Sequence, residues 1–404
     1  MFTEKIVVTG MGMVSPLGSD ITKAVERLQQ GESGVQPAAE NPYSPFLASV
    51  QDYDATRFVP RSKLRRMESL NHYAINAAGD ALSMAGLLQR NEQGEPVPLE
   101  DVGVLVGTGY AGIESVIKHQ KSLFDEGIEK LRPVHFPTTV YNATAGMIAI
   151  EHQLRGINST LTGLDMPGEY ALLYACILLQ KQPESKILVI GADSYNDRLQ
   201  QGLYSLGLLT QAKGDKPHRA FEHGTDGIVM GEGAGALLLE TESSARARGA
   251  EILAEIAGVF QSSSADQPYG YGQTPEAPNK ALAQLTRASG KSIQDYDLIN
   301  LSANGIPLLD KLESSLLEQL EAGTTPCRTL SDYIGIFPGA GMVRLLLAIA
   351  SFRQRQQIRS LQNGKTLASV EPALHKPLEN FDSFIHLANG LGGNAMAIDV
   401  RMVH

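Results

Sequence analysis

A chain of 404 residues with a net charge of −10, 43% hydrophobic and 19% charged, has ample material for a large core, in one big domain or two similar halves. No run of Lys and Arg exists to follow a phosphate backbone, so nucleic acid is not expected as a partner. No stretch approaches about eighteen uninterrupted apolar residues, so no membrane span is expected.

The only two cysteines, Cys176 and Cys327, are far apart and in no metal-ligand spacing, which predicts a reducing compartment without a disulfide framework. The first residues, MFTEKIVVTGMG, lack a charged segment followed by a long apolar one. The expectation is a cytoplasmic globular protein. The forty glycines cluster in TGMGMV, GTGYAG, GEGAGA, FPGAGM and NGLGGN, as tight turns and close backbone approach require.

In chain order, residues 5–9 read as a buried strand ending in Gly10. The G-x-G that follows (Gly10, Gly12) has Ser15 where a dinucleotide fingerprint wants its third glycine, so it reads as a strand and turn. Residues 21–29 form a short amphipathic helix, 36–59 are irregular, and 69–87 form a long helix with small residues on its packing face. A strand at 102–106 leads through GTGYAG to a helix reaching about Phe124. Residues 132–145 are an extended loop before a helix at 146–154.

Residues 158–171 form a strand, a sharp turn and the start of a helix at 169–179. This geometry puts Asp165 at a helix N-terminus facing a pocket, where the helix dipole stabilises an anion by up to about 2 kcal/mol. Asp is equally at home there as a helix cap, which contributes about 1 kcal/mol. A strand follows at 186–192, then a hairpin at 227–240 around its Gly turn, and a charged helix at 243–249. The second half begins with a strand at 251–260. It continues with a helix at 275–289, a strand at 298–302, a helix at 308–320, a short strand at 329–331 and an apolar helix at 342–352. Strands at 384–388 and 395–400 flank NGLGGN. Buried strands alternating with helices predict parallel sheets covered on both faces. The same order occurs twice, so the chain divides into similar α/β halves at 1–250 and 251–404.

The segments KIVVTGMGMVSPLGSD, GVLVGTGYAG, FPTTVYNATAGMIAI, RAFEHGTDGIVMGEGAGALLLE and NGLGGNA resemble those of β-ketoacyl-acyl carrier protein synthases over essentially the whole chain. The resemblance implies an α/β thiolase-like fold, two similar halves in a five-layer αβαβα stack, normally dimerised. Family members use a Cys at a helix N-terminus to hold the acyl chain as a thioester. Two His donate hydrogen bonds to a thioester carbonyl, so that decarboxylation of a malonyl unit passes through a stabilised enolate.

This chain departs from the pattern at all three positions. The Cys segment reads Gly163, Leu164, Asp165, Met166, Pro167, Gly168, with Asp165 in place of Cys. The first His segment reads Ser302, Ala303, Asn304, Gly305, Ile306, with Asn304 in place of His. The second, aligned on its glycines, puts Ile336 at the His position, or Gly335 if it slips by one residue. Ser331 replaces the Lys that usually precedes it. Asp165 would repel a malonyl carboxylate. Cys176 lies about three turns along the following helix, on its apolar pattern, and reads as core. Asn304 also reads as a turn residue before Gly305.

A family member without its Cys is similar to the chain-length factor of type II polyketide synthases. That subunit pairs with a Cys-containing ketosynthase, served by an acyl carrier protein, and limits chain growth in the partner's tunnel. The resemblance then implies a gate at Tyr110, at His135 and Phe136, at Thr138, Thr139 and Tyr141 in the same loop, and at Leu391. Packing is the plainer role for Tyr110 and Leu391. Two other readings stand beside this one: an acyl-thioester hydrolase or acyltransferase using Asp165, and a homodimeric protein that binds an acyl chain or carrier protein. No HExxH, CxxC or P-loop pattern occurs and His218 and His223 lack metal spacing, so no metal or cofactor is expected.

Overall fold

The computed structural model describes residues 3–51, 53–64, 67–89, 91–94, 96–130, 133–217, 219–265, 270–321, 325–362 and 365–403, with the side chains of 133–135 excepted. Ten strands form one sheet: β1 (Ile6–Val14), β2 (Val102–Thr108), β3 (Asn158–Thr162), β4 (Lys186–Asp193), β5 (Gly233–Thr241), β6 (Ala254–Ser263), β7 (Leu298–Asn300), β8 (Cys327–Arg328), β9 (Ser383–Gly390) and β10 (Asn394–Met402). Their order is β3-β2-β4-β5-β1-β6-β10-β9-β7-β8. The first five strands lie in the order 3-2-4-5-1, and the second five repeat it. The two sets meet where Ile6 to Val8 pair with Ile256 to Ala254.

The expectation of parallel sheets needs correction. In each set three neighbouring strands pair parallel, and the two remaining pairings are antiparallel. Apolar runs report burial on both faces, which antiparallel strands inside a stack share with parallel ones.

The main helices are α1 (Ile21–Gln30), α2 (Ser69–Met84), α3 (Ile113–Glu126), α4 (Ala143–His152), α5 (Pro167–Lys181), α6 (Asp197–Ser205), α7 (Glu242–Ala247), α8 (Glu276–Ser289), α9 (Pro307–Gln319) and α10 (Ala340–Arg353). Three cores separate five layers. α5 and α10 lie in the middle, against Leu105, Val189 and Leu237 of the first strand set and Phe384, Met396 and Ile398 of the second. The alternate residues Val104, Val106, Leu188 and Ile190 face α2 and α4. Ile299, Ile385, Leu387 and Ala397 face α8 and α9. Every residue of α10 from Ala340 to Phe352 is buried, as befits a helix with no solvent side.

Other local readings are corrected by packing. β1 does not stop at Gly10 but runs to Val14. A Cβ on Gly10 would sit 2.2 Å from the Ala81 carbonyl oxygen, and one on Gly12 2.1 Å from that of Ala77. These glycines let the strand pass directly beneath α2. Residues 227–240 are not a hairpin: Met230–Gly231 joins a small separate sheet, while β5 pairs with β1 and β4. The strand placed at 329–331 is β8, two residues earlier, and Ser331–Ile334 is a helical turn. The loop at 132–145 contains a 3-10 turn, Pro133–Thr138, and the first residues of α4. α6 was not foreseen at all.

Candidate functional site

The ends of β2, β4 and β9 and the starts of α5 and α9 converge on a cavity of ≈690 Å³. Asp165, Asn304 and Ile336 all line it, with Tyr110 and Leu391. The rest of its wall is mainly apolar: Leu199 and Leu203 of α6, then Leu206, Leu208, Ile228 and Ile306. The start of α5 is pinned against the sheet, since a Cβ on Gly107 of β2 would fall 2.2 Å from the Pro167 carbonyl.

Asp165 is not a helix cap, contrary to one sequence reading. Met166 holds the cap position and α5 begins with Pro167, which has no N–H to offer. The carboxylate turns instead toward the second half of the chain. Its Oδ2 accepts from the Leu391 backbone N–H at 2.7 Å, and its Oδ1 accepts from the Tyr271 hydroxyl at 3.3 Å. Burial raises its pKa above the usual carboxylate range; these two bonds oppose the rise and nearby Glu169 adds to it. Tyr271 is 7% exposed, and burial beside Asp165 keeps its hydroxyl protonated. Asn304 does serve the turn: its Oδ1 accepts from the Ile306 N–H at 3.1 Å, next to Gly305 at φ +90. Ile336 contributes only hydrocarbon. Ser331 donates to the Ala303 carbonyl at 2.6 Å and stays outside the cavity lining.

Asp193, at the end of β4, ties two walls together. It accepts from the Thr108 hydroxyl (2.6 Å), the Gly109 and Tyr110 N–H groups (3.0 and 2.7 Å) and the Gly339 N–H (2.8 Å). The loops carrying Tyr110 and Pro338 are therefore held by one carboxylate.

Behind the cavity lies a buried polar network. Glu169, 1% exposed, has Arg344 Nη2 and His386 Nε2 each at 3.4 Å. Burial and the Arg344 charge push His386 down to about 4, so its ring is neutral. Glu313 accepts from the Ser302 and Ala303 N–H groups (3.0 and 2.8 Å) and from Asn389 (2.7 Å). These bonds fix the turns that carry Asn304 and Leu391. The group supplies positioning; nothing in it faces the cavity as a nucleophile.

The other foreseen residues lie elsewhere. Phe136 and Tyr141 are exposed, Thr138 is buried against Ser115 at 2.8 Å, and Thr139 donates to the Phe136 carbonyl. None lines the cavity. The His135 and His218 side chains lie outside the described residues. Cys176 is core, its thiol pushed up to about 12 by burial. Among the described residues no His, Cys, Asp and Glu group could hold a metal, and no helix is long and apolar enough to cross a membrane. Sequence reasoning missed Tyr271, Asp193 and the α6 leucines. An aromatic between Gly270 and Gly272, and a lone acid closing the apolar run KILVIGA, were the available signals for the first two.

The family described as beta-ketoacyl synthase, N-terminal domain, matches residues 3–245. The 3-oxoacyl-[acyl-carrier-protein] synthase 2 of Synechocystis sp. is 29% identical over 328 residues, covering 78% of this chain and 76% of that protein. Its counterpart in Vibrio cholerae is 26% identical over 419 residues, covering 100% of both. A β-ketoacyl synthase from Burkholderia phymatum has the same fold, at TM-score 0.87 and 20% identity over 100% of both chains. So has the ishigamide ketosynthase/chain length factor, at 0.86 and 22%, covering 99% of this chain and 100% of that one. A ketosynthase in complex with its chain length factor from Xenorhabdus doucetiae matches at 0.81 and 19%, over 99% and 98%.

Proposed function

The chain belongs to the β-ketoacyl synthase family, and on that premise we propose that it is a non-catalytic chain-length factor. It pairs with a Cys-containing ketosynthase in a type II polyketide or fatty-acid-like pathway, served by an acyl carrier protein. There it shapes the tunnel that sets product length. The observation that carries this reading is Asp165. At the position of the family's Cys stands a carboxylate locked onto Leu391 N–H and the Tyr271 hydroxyl. It cannot store an acyl chain as a thioester, and it repels a malonyl carboxylate. Ile336 has no side-chain donor to polarise a carbonyl.

The surface supports a partner. β3 ends the sheet with one side unpaired. Around it Ile150, Leu164, Tyr174 and Ile177 are exposed, with Phe136, Val140 and Tyr141 in the neighbouring loop. An open edge flanked by large apolar side chains is a surface that soluble chains cover. A hydrolase reading fares worse. No Lys, Arg or His lines the main cavity among the described residues, and Tyr271, held protonated, cannot act as a base, so Asp165 has no second base beside it there.

Tyr110 is the gate residue this reading puts first. Tyr110→Gly in the reconstituted heterodimer is expected to lengthen the products, read by mass spectrometry of released chains. An unchanged product spectrum removes Tyr110 from the gate.

A further inference from the structure

Among the described residues no Lys, Arg or His forms an ion pair with Asp165; Arg344, which lines the small pocket adjoining it, is paired with Glu169. An ionised carboxylate has about four acceptor sites, and one hydrogen bond reaches each of its oxygens here, from Tyr271 and from Leu391. No Lys, Arg or His lines the ≈690 Å³ cavity among the described residues. Nearby Glu169 has the same sign. Facing this charge is a hydrocarbon wall of Leu199, Leu203, Leu208, Ile228 and Ile306. The volume falls in the range of small-ligand sites, about 300–1,000 Å³.

An apolar chamber whose base carries an acid with no ion-pair partner among the described residues selects for its complement. We propose that this cavity binds a primary alkylamine, or an acyl chain bearing an amino group, with the ammonium on Asp165 and the hydrocarbon along the α6 leucines. The free acceptor positions of Asp165 take two of the three ammonium donors, and the salt link supplies the charge the cavity lacks. A fatty acid would bring a second anion to the same place. An alcohol would offer one neutral donor. The positive end of α5 works against a cation, but Pro167 at its first position has no N–H to add to that end. The site lies within this chain and does not depend on the chain-length reading.

The test is calorimetry of the full chain at pH 8 with octylamine, octanoic acid and octanol. One octylamine per chain is expected, bound about 10- to 100-fold more tightly than either of the others, the ratio that a charge-assisted hydrogen bond supplies. Asp165→Asn, nearly the same shape, should abolish the preference over octanol. Tyr271→Phe, which frees one Asp165 acceptor, should keep it. Equal or tighter binding of the acid or alcohol overturns the proposal. So does amine binding unchanged in Asp165→Asn, which would assign it to the net negative surface. The three-ligand comparison on the unaltered chain decides even where Asp165→Asn fails to fold.

Discussion

Asp193→Ala is expected to destabilise the protein by about 3–5 kcal/mol, because several buried donors lose their acceptor at once. Those donors belong to Thr108, Gly109, Tyr110 and Gly339. Urea denaturation measures the loss. The same variant carries a pH signature. Burial pushes Asp193 up to about 7, against the pull of its four hydrogen bonds. A folded-state pKa raised above the unfolded value adds stability that is complete below about pH 4 and disappears as pH rises through about 7. The advantage of the wild type over Asp193→Ala should therefore be larger at pH 5.5 than at pH 8. The limiting slope is about 1.4 kcal/mol per pH unit. A constant gap would mean that Asp193 stays ionised throughout and that its donors outweigh burial.

Arg328→Leu is the second large loss, again about 3–5 kcal/mol in urea denaturation. Arg328 is 4% exposed and has no acidic partner among the described residues. Its guanidinium donates to the main-chain carbonyls of Cys327 (2.7 Å), Leu374 (2.8 Å), Lys376 (2.7 Å) and Ile358. It thereby joins β8 to two later segments of the second half. Burial pulls its pKa down to about 10, which still leaves it charged at neutral pH. Leu would leave those carbonyls without a donor. Arg328→Lys keeps the charge but not the planar fork, and should recover only part of the stability. A loss under about 1 kcal/mol for Arg328→Leu would mean that water replaces the guanidinium there.

Much of this architecture could be read from the sequence, for identifiable reasons. α8 and α9 were found within a residue at each end because their apolar spacing and flanking signals agree. The repetition of the strand order was legible because both halves use the same sequence of buried runs. What local patterns could not carry was supplied by distant neighbours. Gly10 and Gly12 look like a turn until α2 is laid across them. Met230 and Gly231 look like half a hairpin until the strand at Phe46–Ala48 claims them. The site was legible in part. Asp165, Asn304 and Ile336 line one cavity. Tyr271 could not be placed beside Asp165, because the pair is 106 residues apart in sequence and belongs to different halves. α6 was missed although its apolar residues recur at helical spacing; Leu199 and Leu203 pack on the small cluster of Leu209, Ile228 and Met230, which later segments supply.

A chain-length factor, as proposed, works only beside a ketosynthase that still has its Cys. Native mass spectrometry of the chain, alone and co-expressed with the Cys-containing ketosynthase of its own gene neighbourhood, tests it most directly. A one-to-one complex that forms in preference to a homodimer is the predicted result. A stable homodimer that ignores the ketosynthase would contradict it.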